Sequence, residues 1–366
     1  MVRGSILDLG LLRPQLASLI PTPRILVCGD ADFAYTLALE KSLRGRRCAI
    51  FTSAYEREAE LMERYPHAAE SMSTLLKAGV AVQCGVDARE LSTHYGQDAN
   101  FDRIVFNLPQ SPPAPKARNQ IQRHRALLHD FCASAAGALS PFGEVWITLL
   151  AGQGGTVLDP IARAPGDTWQ IQNQAADAGL LVRAVAQADL DALSLAGYVT
   201  AGRRNHGGQI GSKRKEKGLV VHVLAPEPWS DSDGAGAAVA QRQDIDDQKN
   251  EDELIVGVSP LEWILDNSFW MPESAVDAEI ISPTRMLDIC REALGAHAAH
   301  SLVEEPKVID VYKRPEDGRH ARTYRFTYRS NVIALSRDRA IKLNAVVCAA
   351  LERAFELESR TSNSFG

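Results

Sequence analysis

Over the first 225 residues, short apolar runs alternate with longer stretches whose apolar positions recur every three to four residues. The runs at 24–29 (RILVCG), 47–52, 80–84, 101–107 (FDRIVFN), 144–149, 180–186 and 219–224 predict strands. Residues 32–43, 56–77, 119–139 and 169–178 predict helices, the second broken near Pro66. In residues 32–43, Phe33, Leu37, Leu39 and Leu43 fall near one face, as a helical period requires. Strands that are apolar without alternation are buried on both faces, and helices between them make parallel crossovers. The expected fold class is α/β, a doubly wound, mostly parallel sheet of the Rossmann-like kind.

From residue 226 this rhythm stops. Residues 226–253 are rich in Ser, Asp, Gly and Ala with few large apolar side chains, and predict a flexible acidic linker. The remainder has another grammar. Residues 285–294 predict a short helix and 308–312 a strand. Residues 319–329 alternate, with Tyr324, Phe326 and Tyr328 on one face and Thr323, Arg325, Thr327 and Arg329 on the other. Residues 337–358 predict an amphipathic helix carrying Leu343, Val347, Leu351 and Phe355. A pair of strands bracketed by helices indicates an α+β plait of the ferredoxin type. The expected division is a domain at 1–225, a linker at 226–253 and a second domain at 254–366. Residues 1–23 fit an amphipathic helix or a weak mitochondrial targeting segment.

Charge changes the picture once it is located. The chain carries −6 overall, but 226–253 alone carries −7, which leaves the rest at +1. Two stretches are basic: 203–217, with Arg203, Arg204, Lys213, Arg214, Lys215 and Lys217, and 319–342, with Arg325 and Arg329. Such patches are compatible with a nucleic-acid partner without being diagnostic of one. The six cysteines are scattered with no C-x-x-C pair, so neither a zinc knuckle nor a disulfide framework is expected. Free thiols suit an intracellular, reducing compartment: nucleolus and cytoplasm, or mitochondrion. No apolar run approaches the roughly 18 residues of a membrane span, and no metal site is expected.

Candidate chemistry sits at strand ends. The turn Cys28-Gly29-Asp30-Ala31-Asp32-Phe33 lacks the G-x-G-x-x-G of nicotinamide binding. A glycine there lets backbone approach a ligand, and the following helix N-terminus offers N–H groups to a carboxylate such as that of S-adenosyl-L-methionine. The same Gly and Asp also suit a purely structural turn. Asp87, after the third strand, is suited to an adenine amine or to capping the next turn. The second strand ends Thr52-Ser53-Ala54-Tyr55, without the acid that usually binds a ribose. The fourth ends Asn107-Leu108-Pro109-Gln110, similar to the Asn/Asp-Pro-Pro-aromatic motif of methyltransferases acting on planar nitrogens. The Asn107 side-chain oxygen and the Leu108 carbonyl are suited to accepting an N–H from a flat base edge. His67, His94, His124 and His129 are expected on the surface.

In order, ILVCGDADFAYTLAL, VQCGVDARELSTHY, FDRIVFNLPQ, FGEVWITLLAG and GYVTAGRR resemble the 25S ribosomal RNA uridine-N3-methyltransferase-like domain, over about 24–226. The resemblance implies a class I methyltransferase fold that uses S-adenosyl-L-methionine to methylate N3 of uridine in RNA. It assigns the cofactor to Gly29, Asp30, Ala31, Phe33 and Asp87, and the acceptor base to Asn107, Leu108 and Pro109. Three positions depart from the family pattern. Ala31 replaces the second glycine of Gly-x-Gly, Gln110 the histidine of Asn-Phe-Pro-His, and Leu150 stands near an expected lysine. The C-terminal stretches NSFWMP (267–272), 308–330 and ALSRDRAIKLNAVVCAALERAFELESR are similar to the ferredoxin-fold anticodon-binding domain of phenylalanyl-tRNA synthetases. That implies contact with tRNA-like or other structured RNA, with ribosomal precursor particles as further candidate partners.

Three readings follow. The first is an rRNA (uridine-N3)-methyltransferase whose second domain holds RNA. The second is a catalytically silent RNA-binding or ribosome-assembly factor, favoured by Ala31, Gln110 and Leu150. A small-molecule or protein methyltransferase, the third, leaves the second domain unexplained.

Overall fold

The computed structural model describes residues 3–4, 22–111, 119–188, 190–198, 218–227, 260–272 and 281–360. These fall into two compact units, the first ending at Glu227 and the second starting at Pro260. The basic stretch 203–217, with Arg203, Arg204, Lys213, Arg214, Lys215 and Lys217, and residues 228–253 of the acidic stretch, with 254–259 after it, lie outside the described residues.

The first unit runs β1 (Arg24–Cys28), α1 (Ala34–Leu43), β2 (Ala49–Ala54), α2 (Glu58–Arg64), α3 (Ala68–Lys77), β3 (Ala81–Cys84), α4 (Leu91–Tyr95) and β4 (Phe101–Asn107). It continues with α5 (Gln120–Ala136), β5 (Leu139–Leu150), α6 (Ile171–Asp177), β6 (Leu180–Ala188), α7 (Leu190–Leu195) and β7 (Leu219–Pro226). The strands form one sheet in the order β3-β2-β1-β4-β5-β7-β6, with the two-residue strand Arg3–Gly4 parallel to β6 at its edge. β3 through β5 pair in parallel, and β7 runs antiparallel between β5 and β6. This is the class I, Rossmann-like architecture expected from the sequence.

Strand alternation sends successive side chains to two separate cores. Ile25 and Val27 of β1 meet Leu39, Leu61 and Leu75 on one face of the sheet. Leu26 and Cys28 meet Leu128, Phe131 and Ile171 on the other. Full burial of Ile25, Leu26 and Val27 contributes roughly 1.5–3 kcal/mol each, which makes β1 the axis of the unit.

Four differences from expectation have local causes. The 56–77 helix is two helices because Pro66 between them has no N–H to donate. α1 starts at Ala34 because Phe33 is left-handed, with φ +61°. β5 starts at Leu139 because Leu139 pairs with Phe101 across a bulge. Gly143 allows this, since a Cβ there would lie 2.6 Å from the Phe101 carbonyl oxygen. α4 and α7 are too short to leave a period in the sequence.

The second unit runs β8 (Glu262–Trp270), α8 (Pro283–Ala298), β9 (Lys307–Lys313), β10 (His320–Arg329), α9 (Arg337–Phe355) and β11 (Glu358–Ser359). Its antiparallel sheet has the order β9-β10-β8-β11, the ferredoxin-like βαββαβ arrangement. Tyr324, Phe326 and Tyr328 pack against Met286 of α8 and Val347 and Leu351 of α9, so both helices cover one face. β8, the central strand, was not anticipated. Its inward positions include Asn267 and its outward ones Ile264 and Trp270, which blurs the alternation. The last helix ends at Phe355, short of 358, because Glu356 turns left-handed at φ +52°. Among the described residues, no helix is long and apolar enough to cross a membrane.

Inside this unit Asn267 and Asn344 exchange amide hydrogen bonds of 2.9 and 3.0 Å, and the Tyr328 hydroxyl donates to Asn344 Oδ1 at 3.1 Å. The pair ties β8 to α9. Asn344→Ala leaves two buried partners unsatisfied and should cost about 1–3 kcal/mol, read from the urea midpoint. Replacing both Asn267 and Asn344 by Leu should cost less than the single change, because only the Tyr328 hydroxyl is then left unpaired.

Candidate functional site

β1 and β4 are neighbours in the sheet, with Cys28 opposite Phe106, so the turns that follow them emerge side by side. At this point the strand order reverses direction, where open α/β sheets bind their ligands. The structure thus brings Gly29, Asp30 and Ala31 together with Asn107, Leu108 and Pro109.

In the first turn Gly29 is left-handed (φ +64°), and a Cβ there would sit 3.0 Å from Phe106 Cε2. Asp30 is anchored through its N–H, which donates to the Ser53 carbonyl at 2.9 Å. Its Oδ2 accepts from the Thr36 N–H at 2.7 Å and the Thr36 hydroxyl at 2.6 Å. That hydroxyl also lies 2.8 Å from Thr52 Oγ1. Burial pushes the Asp30 carboxyl up to about 6, against the lowering effect of the Thr36 hydrogen bond. No cation lies within ion-pair distance of Asp30 among the described residues. Asp32 is raised as well, chiefly by burial, while its Oδ1 accepts the Ala34 N–H at 3.2 Å.

Two of the expected cofactor residues are engaged within the protein itself. The Phe33 side chain is fully buried in the core with Leu39 and Leu43, so its ring faces no ligand. Asp87 caps the following turn by accepting the Arg89 N–H at 3.0 Å and pairs with the Arg89 guanidinium at 2.6 Å. That hydrogen bond holds its carboxyl below the usual range. Of its two sequence readings, the structure carries the cap. Beside it, Tyr55 at the end of β2 is 51% exposed, an aromatic surface where the ribose-binding acid is missing.

In the second turn Asn107 Oδ1 accepts the Thr148 hydroxyl at 2.6 Å. The Leu108 N–H donates to the Thr148 carbonyl at 2.9 Å, and Leu108 is itself left-handed at φ +48°. The Asn107 oxygen, expected to accept from a base, is therefore already engaged. Its Nδ2 is buried on the side of Tyr35, whose hydroxyl it influences as a donor without meeting good hydrogen-bond geometry. The group Asn107 has left to offer is a donor. Behind it lies a polar cluster that sequence reasoning missed. Tyr35, whose hydroxyl is raised by burial, is close to both Asn107 and Arg103. Arg103 is 3% exposed, lies 3.8 Å above the Trp146 ring and reaches Glu144 at 3.2 Å. The available signal was register. Arg103, Val105 and Asn107 share one face of β4, and Trp146 and Thr148 stand opposite Val105 and Asn107 on β5.

Gln110 is exposed, whereas Leu150 packs against the core with its N–H held by Gln153 Oε1 at 3.0 Å. His124 is buried and not on the surface, stacked on Trp169 with centroids 4.2 Å apart, and burial lowers its pKa. In the second unit, Arg325 and Arg329 face outward as expected. Each meets an acid directly across the strand pair: Asp266 at 2.9 Å and Glu262 at 3.6 Å. Their charge is locally balanced by these exposed pairs.

A carboxyl whose folded pKa is raised favours the folded state most below its unfolded value, near 3.9, and loses that advantage as pH rises through about 6. Asp30 should therefore lower stability between about pH 4 and pH 6. Calorimetric melting of Asp30→Asn should show a flatter stability profile across this window and a higher Tm than the parent at pH 8.

A family model described as "rRNA (uridine-N3-)-methyltransferase BTM5-like" (BMT5-like) matches residues 26–200. The chain is 33% identical over 183 residues to a mouse protein named "Ferredoxin-fold anticodon-binding domain-containing protein 1 homolog". The match covers 50% of this chain and 28% of that protein. It is also 30% identical over 95 residues to the mitochondrial phenylalanine–tRNA ligase of Saccharomyces cerevisiae, covering 26% of this chain and 19% of the ligase. Among solved structures it is similar to a 30S ribosomal A1408 methyltransferase from an uncultured bacterium. That likeness has a TM-score of 0.36 and 10% identity, and covers 58% of this chain and 91% of the other. Residues 26–200 thus match the BMT5-like family of rRNA (uridine-N3-)-methyltransferases, in a chain that is similar to ferredoxin-fold anticodon-binding proteins and spans about a quarter of the mouse relative's length.

Proposed function

We propose that this protein is an S-adenosyl-L-methionine-dependent RNA methyltransferase that acts on N3 of a uridine in ribosomal RNA. The observation that carries the reading is the meeting of the Gly29 and Asn107 turns at the switch point of the sheet, with the Asn107 amide held between Thr148 and Tyr35.

The residues of the first turn fit the cofactor. Gly29 lets backbone approach it, the start of α1 suits its carboxylate, and Asp30, a buried acid without a cation, suits its ammonium. Tyr55 offers an aromatic face for the adenine. When bound, S-adenosyl-L-methionine supplies an electrophilic methyl group. N3 of uracil lies between two carbonyls, so losing its proton spreads negative charge onto their oxygens. A donor from Asn107 Nδ2 to one of these oxygens stabilises that charge as it develops. An acceptor placed on N3–H would occupy the line of methyl transfer instead. No side chain of the turn stands as an obvious base, so water takes the proton.

The silent-factor reading draws on one observation: Leu150 is packed in the core, so no charge stands where the family tends to have lysine. A methyl-transfer assay separates the two. Incubated with cofactor and unmodified rRNA, the protein should form 3-methyluridine, detected by nucleoside mass spectrometry. Asn107→Ala should lower turnover about 100-fold, the usual cost of removing one donor to developing charge, with cofactor affinity nearly unchanged. Thr148→Val should lower turnover too, and Thr148→Ser should restore it. Cofactor binding without any methylated nucleoside favours the silent factor, and methylation of another base overturns the N3 assignment.

A further inference from the structure

An asparagine amide turns easily about its last torsion, which has no sharp rotamer well. To present an N–H in one fixed direction, Asn107 needs a partner at each end of the amide. Thr148 supplies the first, its hydroxyl donating to Asn107 Oδ1 at 2.6 Å from the opposed position on β5. The other end faces Tyr35, which no step above uses.

Tyr35 is the second residue of α1 and is 2% exposed. Its neighbour Thr36 holds the Asp30 carboxyl through its N–H and its hydroxyl, at 2.7 and 2.6 Å. The first turn of α1 thus grips the cofactor turn with one side chain and reaches the acceptor turn with the next. The Tyr35 ring is fixed by an edge contact with Tyr198, centroids 5.7 Å apart and planes at 82°. Packing alone would be served by phenylalanine, which has the same ring and no hydroxyl to desolvate. The hydroxyl lies instead in the polar cluster among Asn107, Arg103 and Asp30. Burial raises its pKa, so it stays protonated and acts as a neutral hydrogen-bond partner, not as a base. Its approach to Asn107 Nδ2 falls short of good geometry, and such contacts commonly tighten only when substrate binds. With Oδ1 on Thr148 and one N–H on Tyr35, the second N–H of the amide has a single direction left.

We propose that Tyr35 is a positioning residue for methyl transfer, its hydroxyl taking one N–H of Asn107 Nδ2 and aiming the other at a carbonyl oxygen of the acceptor base. This rests on the methyl-transfer reading above and names the side chain that orients its acceptor turn.

The test is Tyr35→Phe in the full chain, which keeps the ring and removes the hydroxyl. At saturating rRNA it should lower the rate of 3-methyluridine formation roughly 2- to 12-fold, the range for one neutral hydrogen bond. The Michaelis constant for RNA and the calorimetric affinity for S-adenosylmethionine should stay within about twofold of the parent, because the hydroxyl acts only on how the acceptor is met in the transition state. The pH–rate profile should keep its shape, since a phenol that stays protonated carries no proton away. In urea, Asn107→Ala should shift the unfolding midpoint less in the Tyr35→Phe background than in the parent, the non-additivity of residues in contact. Parent-like turnover in folded Tyr35→Phe overturns the proposal. So does the loss of one limb of the pH profile, which would make the phenol a proton carrier. Cofactor affinity that falls in step with turnover overturns it too, by confining Tyr35 to the cofactor turn. If the parent binds cofactor and methylates nothing, the enzyme reading falls and the urea comparison decides alone. Additive midpoint shifts then overturn the hold of Tyr35 on Asn107, and non-additive shifts uphold it.

Discussion

Cys28 faces Phe106 in the parallel ladder between β1 and β4, and the candidate site depends on that pairing. From β1 the chain winds outward to β3, and from β4 it winds the other way through β5 to β7 and β6. No crossover helix covers the gap between the two directions, so the turns at Gly29 and Asn107 meet across it. The same ladder sets the close approach. Phe106 lies 3.0 Å from where a Gly29 Cβ would be, so a larger residue would displace one turn from the other. Burial of β1 on both faces makes that position rigid.

Around the gap the protein departs from the rules it obeys elsewhere. Asn267 and Asn344 exchange hydrogen bonds in the second unit, but Asn107 is buried with its amide N–H toward Tyr35, outside good hydrogen-bond geometry. Asp30 is an acid whose ionised form is disfavoured by burial, and Leu108 holds a left-handed backbone that a side chain resists. Each of these weakens the free protein, and a ligand ammonium would relieve the second of them. Concentrated at one strand end, they mark a place shaped for binding more than for stability.

Much of this was legible in the sequence. The unbroken apolar runs of β1 and β4 identified central parallel strands, and Tyr324, Phe326 and Tyr328 identified the inward face of β10. Legibility failed where one residue served two ends. Trp270 looks like a core residue of β8 and lies on its outer face, while Asn267 looks like a surface residue and lies within. Spacing alone could not show that Thr148 engages the Asn107 oxygen, because that contact depends on how β5 pairs with β4. Nor could composition show that Arg325 faces Asp266, since their opposition follows from the register of a strand whose alternation was blurred.

The account stands most directly on the cofactor cleft at the ends of β1 and β4, and isothermal titration with S-adenosylmethionine tests it. The account predicts saturable binding of one molecule per chain. That binding should disappear in Gly29→Val, where the side chain meets Phe106 and displaces the first turn from the second, while the variant remains folded by circular dichroism. A flat titration of the parent at millimolar ligand, or undiminished binding by folded Gly29→Val, would contradict it.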